Sequence, residues 1–325
     1  MLTGRAEAAP VEPMLWDRLG LVWSAPEGSG LTGALQPTPL LLGDRIRVFT
    51  GCRDADGASS VWWVDLDLED PTRVIAEART AALTPGAPGT FDAAGVVPCA
   101  VVGTDRSDVR LYYAGYQPPA GPGERFRVFS GLASAPVADP GTFTRLRDRP
   151  LLRTSPGERL FRVVHSLVRA EDGGWRCWYG AGHEFREGRT KLLPVYDIRQ
   201  MDSPDGLDFP DAGEVAVPLG SPDEHRVGRP YVVRHEAGWR MFFGAGTEAT
   251  TYRLTFADSA DGRSWRRHDG LLGLDVADAG WDSEMVAYPA VVTTGAGTFL
   301  FYNGNGYGRD GFGVAALRRP LPLVP

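Results

Sequence analysis

The stretch that decides the fold runs from Pro230 to Gly246 and reads PYVVRHEAGWRMFFGAG. A β-branched run, a polar turn, an aromatic run and a glycine-rich exit follow one another, which is the pattern of a β-hairpin. The same pattern opens at four other places: PTPLLLGDRIRVFTG from Pro37, PCAVVGTDRSDVRLYYAG from Pro98, HSLVRAEDGGWRCWYGAG from His165 and PAVVTTGAGTFLFYNGNG from Pro289. Successive starts lie 61, 67, 65 and 59 residues apart. A nearly constant period of this size is the mark of a repeat architecture.

A second recurring piece follows the hairpin. ADSADGRSW (Ala257 to Trp265), MDSPDGLDF (Met201 to Phe209) and LASAPVADPGTF (Leu132 to Phe143) each read as a third strand, a turn and the start of a fourth strand. Four strands per unit is the composition of a propeller blade. After GFGVAALRR the last unit has room for three strands, while LGLVWSA (Leu19 to Ala25) reads as an unassigned strand near the N-terminus. We therefore expect an all-β, five-bladed β-propeller, closed by an N-terminal strand that fills the last blade and removes an open edge. Residues 1–14 are expected to be a flexible N-terminus and residues 15–325 one domain. A β-sandwich of similar size does not explain five hairpins at nearly equal spacing.

The composition fits and excludes. The 41 Gly and 26 Pro in 325 residues are turn punctuation, below the level that marks disorder. Lys plus Arg is 34 against 41 Asp plus Glu, a net charge of −7, the wrong sign for a nucleic-acid binder. Three cysteines, Cys52, Cys99 and Cys177, lack C-x-x-C spacing and fit a reducing compartment. The start, MLTGRAEAAPVEPMLWDRLG, has no apolar core of signal-peptide length, and no stretch approaches the roughly 18 apolar residues of a membrane span, so a cytoplasmic protein without a membrane partner is expected. There is no G-x-S-x-G elbow, and GYGRDGFG lies between two strands instead of opening a helix, which excludes a dinucleotide loop. With five His and no H-x-x-x-H, neither a metal nor another cofactor is expected.

Antiparallel topology places the start of the first strand and the end of the second on one face of each unit. The residues just before the repeats are Gln36, Val97, Val164, Arg229 and Tyr288; those leaving the second strands include Asp54, His183 with Glu184, Glu248, and Asn303 with Asn305. Loops approaching the first strands add Asp92, Trp281, Asp282 and Glu284, and His165 replaces the usual Pro. Carboxylates, amides, Arg, His and aromatics in one place suit a sugar, whose hydroxyls need polar partners and whose faces stack on rings. Asp and Asn at strand ends are also ordinary turn chemistry. WDSEMVAYP makes Glu284 the first candidate for proton transfer and Asp92 the second, because acid/base work needs carboxylates in different environments. Arg229 would clamp a carboxylate or phosphate, and His165 would stand beside it.

These features resemble the five-bladed glycoside hydrolases, the arabinanases, β-xylosidases, invertases and levansucrases. TFDAAGVVP, RPYVV, WDSEMVAYP and FYNGNGYGRDGFG are similar to a bacterial glycosidase-like subgroup. The resemblance implies an Asp directly before the first inner-strand Pro as base or nucleophile, a second Asp that adjusts pKa and a Glu as general acid. Here Gln36 stands at the first of these positions, and Val164 and Arg229 occupy places where carboxylates belong. An amide cannot form the glycosyl ester or take the proton. Three readings stay open: Asp92, Glu184, Glu248 or Glu284 carries glycoside chemistry instead; another reaction, on a sugar-derived biosynthetic intermediate, uses His165 and Arg229 beside a carboxylate; or the propeller binds a saccharide without turnover.

Overall fold

The structure is a computed structural model and describes residues 11–104, 107–319 and 321. It is nearly all β. Strand β1 (Trp16–Trp23) comes first, and β2 (Thr32–Leu42), β3 (Arg45–Arg53), β4 (Ser59–Asp67) and β5 (Val74–Glu77) form an antiparallel four-stranded sheet. Three further antiparallel runs follow. The first is β6 (Val96–Gly103), β7 (Asp108–Gln117), β8 (Arg127–Pro136) and β9 (Thr144–Arg145). The second is β10 (Phe161–Arg169), β11 (Trp175–Glu187), β12 (Leu192–Ser203) and β13 (Glu214–Val217). The third is β14 (Glu224–His235), β15 (Gly238–Thr247), β16 (Arg253–Ser259) and β17 (Arg266–Arg267).

Short parallel pairings of β8 with β10 and of β12 with β14 join these three runs into one twelve-stranded sheet. The last sheet contains β18 (Ala287–Thr294), β19 (Gly297–Asn303) and β20 (Phe312–Leu317), with β1 as its fourth strand, antiparallel to β20. The N-terminal strand read from LGLVWSA thus lies against the C-terminal strand. Residues 1–10 of the expected flexible segment lie outside the described residues. Met14, which falls in the same segment, is buried and donates its backbone N–H to the Leu271 carbonyl at 2.9 Å.

The second strand of each run explains how the runs pack. It carries two successive bulky residues: Val48 and Phe49, Tyr112 and Tyr113, Trp178 and Tyr179, Phe242 and Phe243, Phe301 and Tyr302. Neighbouring side chains on a strand point to opposite faces, so each pair is divided between two cores. Phe242 packs with Leu300 and Tyr302, whereas Phe243 packs with Trp178 and Trp239. Phe301 shares a core with Ile46 and Val48, so the last sheet packs on the first. Each such buried ring contributes about 1.5–3 kcal/mol.

The S-x-D-G segments are turns between third and fourth strands. Asp205 Oδ1 accepts the N–H of Leu207 and Asp208, and Asp261 Oδ1 accepts the N–H of Arg263 and Ser264, all at 2.8–2.9 Å. Gly206 and Gly262 hold φ of +72° and +68°, where a side chain would be strained.

Candidate functional site

Two kinds of polar cluster form in this scaffold. In the first, a carboxylate from the loop before an inner strand meets a tyrosine of the second strand and an arginine. Asp92 accepts from Tyr113 Oη (2.9 Å) and Arg145 Nε (2.9 Å), and Asp282 accepts from Tyr302 Oη (2.8 Å) and Arg18 Nε (3.0 Å). Glu158 accepts from Tyr179 Oη (2.9 Å) and Arg199 Nη1 (3.0 Å) and pairs with the buried Arg162. In the run from β14 to β17 the tyrosine position holds Phe243; Glu224 there pairs with Arg267 through both oxygens at 2.8 and 3.0 Å, and the guanidinium lies over the Phe243 ring. These clamps are scaffold.

The second cluster surrounds a cavity of about 280 Å³ at the inner ends of the strands. Among the described residues six non-glycine residues have positive φ, and five of them, Gln36, Arg229, Thr251, Tyr288 and Tyr307, line this cavity. Gln36, Arg229 and Tyr288 are the residues immediately before the repeats, and each sits where the pairing of the first two strands slips. Such bulges re-aim side chains, and a left-handed non-glycine backbone costs about 1–3 kcal/mol, so the surrounding structure must hold it. For Gln36 that support is Asn303, whose Oδ1 accepts the Gln36 N–H at 2.7 Å while its Nδ2 donates to Ala34 O and Gly311 O.

The walls are aromatic and the polar groups are cationic. Tyr196 and Tyr252 touch hydroxyl to hydroxyl. Glycines make room for their rings: a Cβ on Gly228 or Gly244 would come within 2.7 Å of Tyr196 or Tyr252. Arg226 lies 4.1 Å above the Tyr252 ring and donates to Tyr307 Oη at 2.9 Å. Arg229 donates to the carbonyls of Cys99 and His165 and to Thr38 Oγ1 (2.8 Å).

Protonation follows from burial. It lowers the Arg229 pKa and, with Arg229 alongside, holds His165 well below the usual histidine range. Burial also lowers His225 to about 4. The neutral His225 ring shares Nδ1 with the Pro194 carbonyl at 2.8 Å, which makes Nδ1 the donor and leaves Nε2 a bare acceptor. Burial raises Tyr196, Tyr252 and Tyr288, keeping their hydroxyls protonated. Burial opposes the Arg226 charge, but the tyrosine oxygens around it outweigh that, and its pKa is raised.

Of the residues expected from sequence, the cavity gathers Gln36, His165, Arg229, Tyr288 and Glu248. Glu248 is the one carboxylate among the described residues that line it, and Oε1 already accepts the Arg189 N–H at 2.7 Å. The others lie outside the lining. Glu284 is exposed, its backbone tied to Asn305 Oδ1 (2.7 Å) and Arg253 Nη1 (3.1 Å). Asp92 and Asp282 are taken up by the tyrosine and arginine partners of their clamps. Trp281 stacks on Tyr302 at 5.0 Å, and Asn305 pins the loop from Gly280 to Met285. Asp54 caps a turn by accepting from Asp56 and Ala58, and His183 and Glu184 form an exposed pair at 3.8 Å. The residues that sequence reading missed are Tyr196, Tyr252, His225 and Arg226. Third strands also start on this face, and their first aromatics were the available signal.

No protein-family model matches the chain. The uncharacterized protein Rv1502 of Mycobacterium tuberculosis (strain ATCC 25618 / H37Rv) is 32% identical to it over 309 residues, 94% of this chain and 99% of that protein. Uncharacterized protein MT1551 of strain CDC 1551 / Oshkosh aligns over the same extent at the same identity. The chain belongs to the Rv1502 family. Among solved structures, a glycoside hydrolase superposes with a TM-score of 0.68 at 16% identity, covering 95% of this chain and 93% of that one. A thermostable family-43 glycoside hydrolase superposes with a TM-score of 0.62 at 16% identity, covering 93% and 97%. At these identities the likeness shows the fold alone: this Rv1502-family protein has the β-propeller fold of those structures. Fold alone does not carry the hydrolytic chemistry with it.

Proposed function

We propose that this protein is a five-bladed propeller whose cavity takes a saccharide or sugar-derived biosynthetic intermediate and acts on it without the paired carboxylates of a glycosidase. The observation that carries this reading is the lining itself, in which Glu248 is the sole carboxylate of the described residues, among tyrosines, arginines and histidines. Glycoside hydrolysis by either two-carboxylate route needs two such groups facing one bond. In their place the neutral Nε2 of His225 would accept a proton, and the Tyr196 and Tyr252 hydroxyls would donate one, which suits transfer, elimination or isomerisation. We place the protein in the cytoplasm, and we assign it to the glycosidase-like subgroup in which Gln36 stands in the place of the first-blade Asp. The five antiparallel runs would be its blades, with β1 closing the last.

A second reading, saccharide binding without turnover, is favoured by one observation: burial holds His165 and His225 far below neutrality, leaving them weak bases. Incubation with a panel of nitrophenyl glycosides tests the main reading. We expect no nitrophenol release above buffer, and saccharide binding that Tyr288→Ala abolishes. Release that disappears in Glu248→Gln would overturn it.

A further inference from the structure

Four arginines are buried among the described residues: Arg47, Arg162, Arg226 and Arg229. Arg47 grips Asp65 with two bonds of 2.7 and 2.8 Å, and Arg162 pairs with Glu158. Arg226 and Arg229 have no carboxylate of the described residues within ion-pair reach, and both line the cavity. Their Nε atoms are buried without a hydrogen-bond partner, as is Nδ1 of His165 beside them. Taking a guanidinium out of water without a counter-charge is costly: Arg229 carries that cost in the empty protein, and Arg226 is offset by tyrosine oxygens and not by a carboxylate.

The rest of the lining has the same sign. Arg53, Arg125 and Lys191 bring the cations to five against Glu248, in a chain whose net charge is −7. Low-dielectric walls around charges of one sign focus the field and concentrate ligands of the other. Arginine forks match planar or tetrahedral oxyanions, and the tyrosine rings beside them offer faces to a sugar.

We infer that the ligand of this cavity is an acidic saccharide, one whose phosphate or carboxylate group is held by Arg226 and Arg229 while its ring stacks on the tyrosines. The inference rests on the saccharide reading above and names the missing counter-charge as part of the ligand. Arg229 would meet the anion deep in the cavity. Arg226, fixed by Tyr252 and Tyr307, would meet it from the side.

Calorimetric titration of the full chain with glucose, glucose 6-phosphate, glucuronate and inorganic phosphate tests it. We expect one of the two acidic sugars to bind at least about tenfold tighter than glucose, the better one telling phosphate from carboxylate. Arg226→Lys and Arg229→Lys keep the charge and lose the fork, and each should weaken that sugar by about fivefold or more. Arg226→Met and Arg229→Met should remove the preference for the acidic sugar. If a Met variant does not fold, the wild-type preference and the Lys variants decide. Equal affinity for glucose and the acidic sugars would overturn the inference and leave the saccharide reading standing. Inorganic phosphate bound as tightly as any sugar would support the anion subsite and overturn the saccharide reading. No binding by any of the four would overturn both.

Discussion

The clamp arginines Arg145, Arg18 and Arg199 lie on outer strands, the cavity arginines Arg226 and Arg229 on the first strand of a run, and the two sets do opposite things. Arg145, Arg18 and Arg199 each meet a carboxylate that a tyrosine also holds, so every charge brought inward has its counter-charge in the chain. Arg226 and Arg229 are buried as well, yet their hydrogen bonds and ring contacts go to carbonyls, hydroxyls and tyrosine faces. Charge neutrality inside the clamps is local, whereas in the cavity it is left to the ligand. The backbone follows the same division: the described non-glycine residues with positive φ gather at the cavity, apart from Ser107.

The largest test of this contrast removes a counter-charge from a clamp. Glu158→Ala leaves Arg162 fully buried without its carboxylate, with Tyr179 also losing its acceptor and Arg199 keeping Asp197 alone. We expect a loss of about 3–5 kcal/mol in urea unfolding, a large share of a total that is typically about 5–15 kcal/mol. A loss below about 1 kcal/mol would mean that the clamps do not need their charges and that the contrast is false.

A somewhat smaller effect comes from the cavity side and from pH. His225 has its folded pKa depressed from 6.5 to about 4, so the unfolded chain binds its proton first. The stability tied to the neutral ring is complete above pH 6.5 and is lost as pH falls towards 4, on the order of 3 kcal/mol. Unfolding measured from pH 7 to 4.5 should show this acid limb in the wild type and a shallower one in His225→Asn. Identical slopes would place the acid sensitivity elsewhere.

How far the sequence could be read follows from the same physics. The hairpins were legible because two bulky residues on the second strand must each fill a different core, which forces a repeated aromatic pair ahead of a glycine. Gln36, Arg229 and Tyr288 were legible as cavity residues because the first strand always begins on that face. Asp92, Asp282 and Glu284 lie outside the cavity lining, and a carboxylate three to five residues ahead of a strand looks the same in sequence whether its side chain meets the cavity or a tyrosine. What distinguishes them is a three-dimensional partner: Tyr113 and Arg145 lie 21 and 53 residues away from Asp92. Arg226 was hidden for a related reason, because only the slip in pairing at Gly228 brings it and Arg229 to the same cavity.

The smallest expected effect is the sharpest, because the same substitution should cost stability in one region and little or none in the other. Arg145→Met strips Asp92 of its cation and leaves a carboxylate that is almost wholly buried with Tyr113 and Thr90 alone, so stability should fall by about 2 kcal/mol or more. Arg229→Met removes a guanidinium that no carboxylate neutralises. The variant gives up its bonds to Thr38 and to the Cys99 carbonyl, which costs about 1 kcal/mol each, and it gains the desolvation energy that the charge was opposing. The two contributions are of similar size, so the ligand-free variant should lie within about 1 kcal/mol of the wild type or above it. Thermal unfolding of both variants, without ligand, measures the difference directly. If Arg229→Met falls as far as Arg145→Met, Arg229 is a scaffold residue whose hydrogen bonds outweigh its charge, and the cavity is not waiting for an anion.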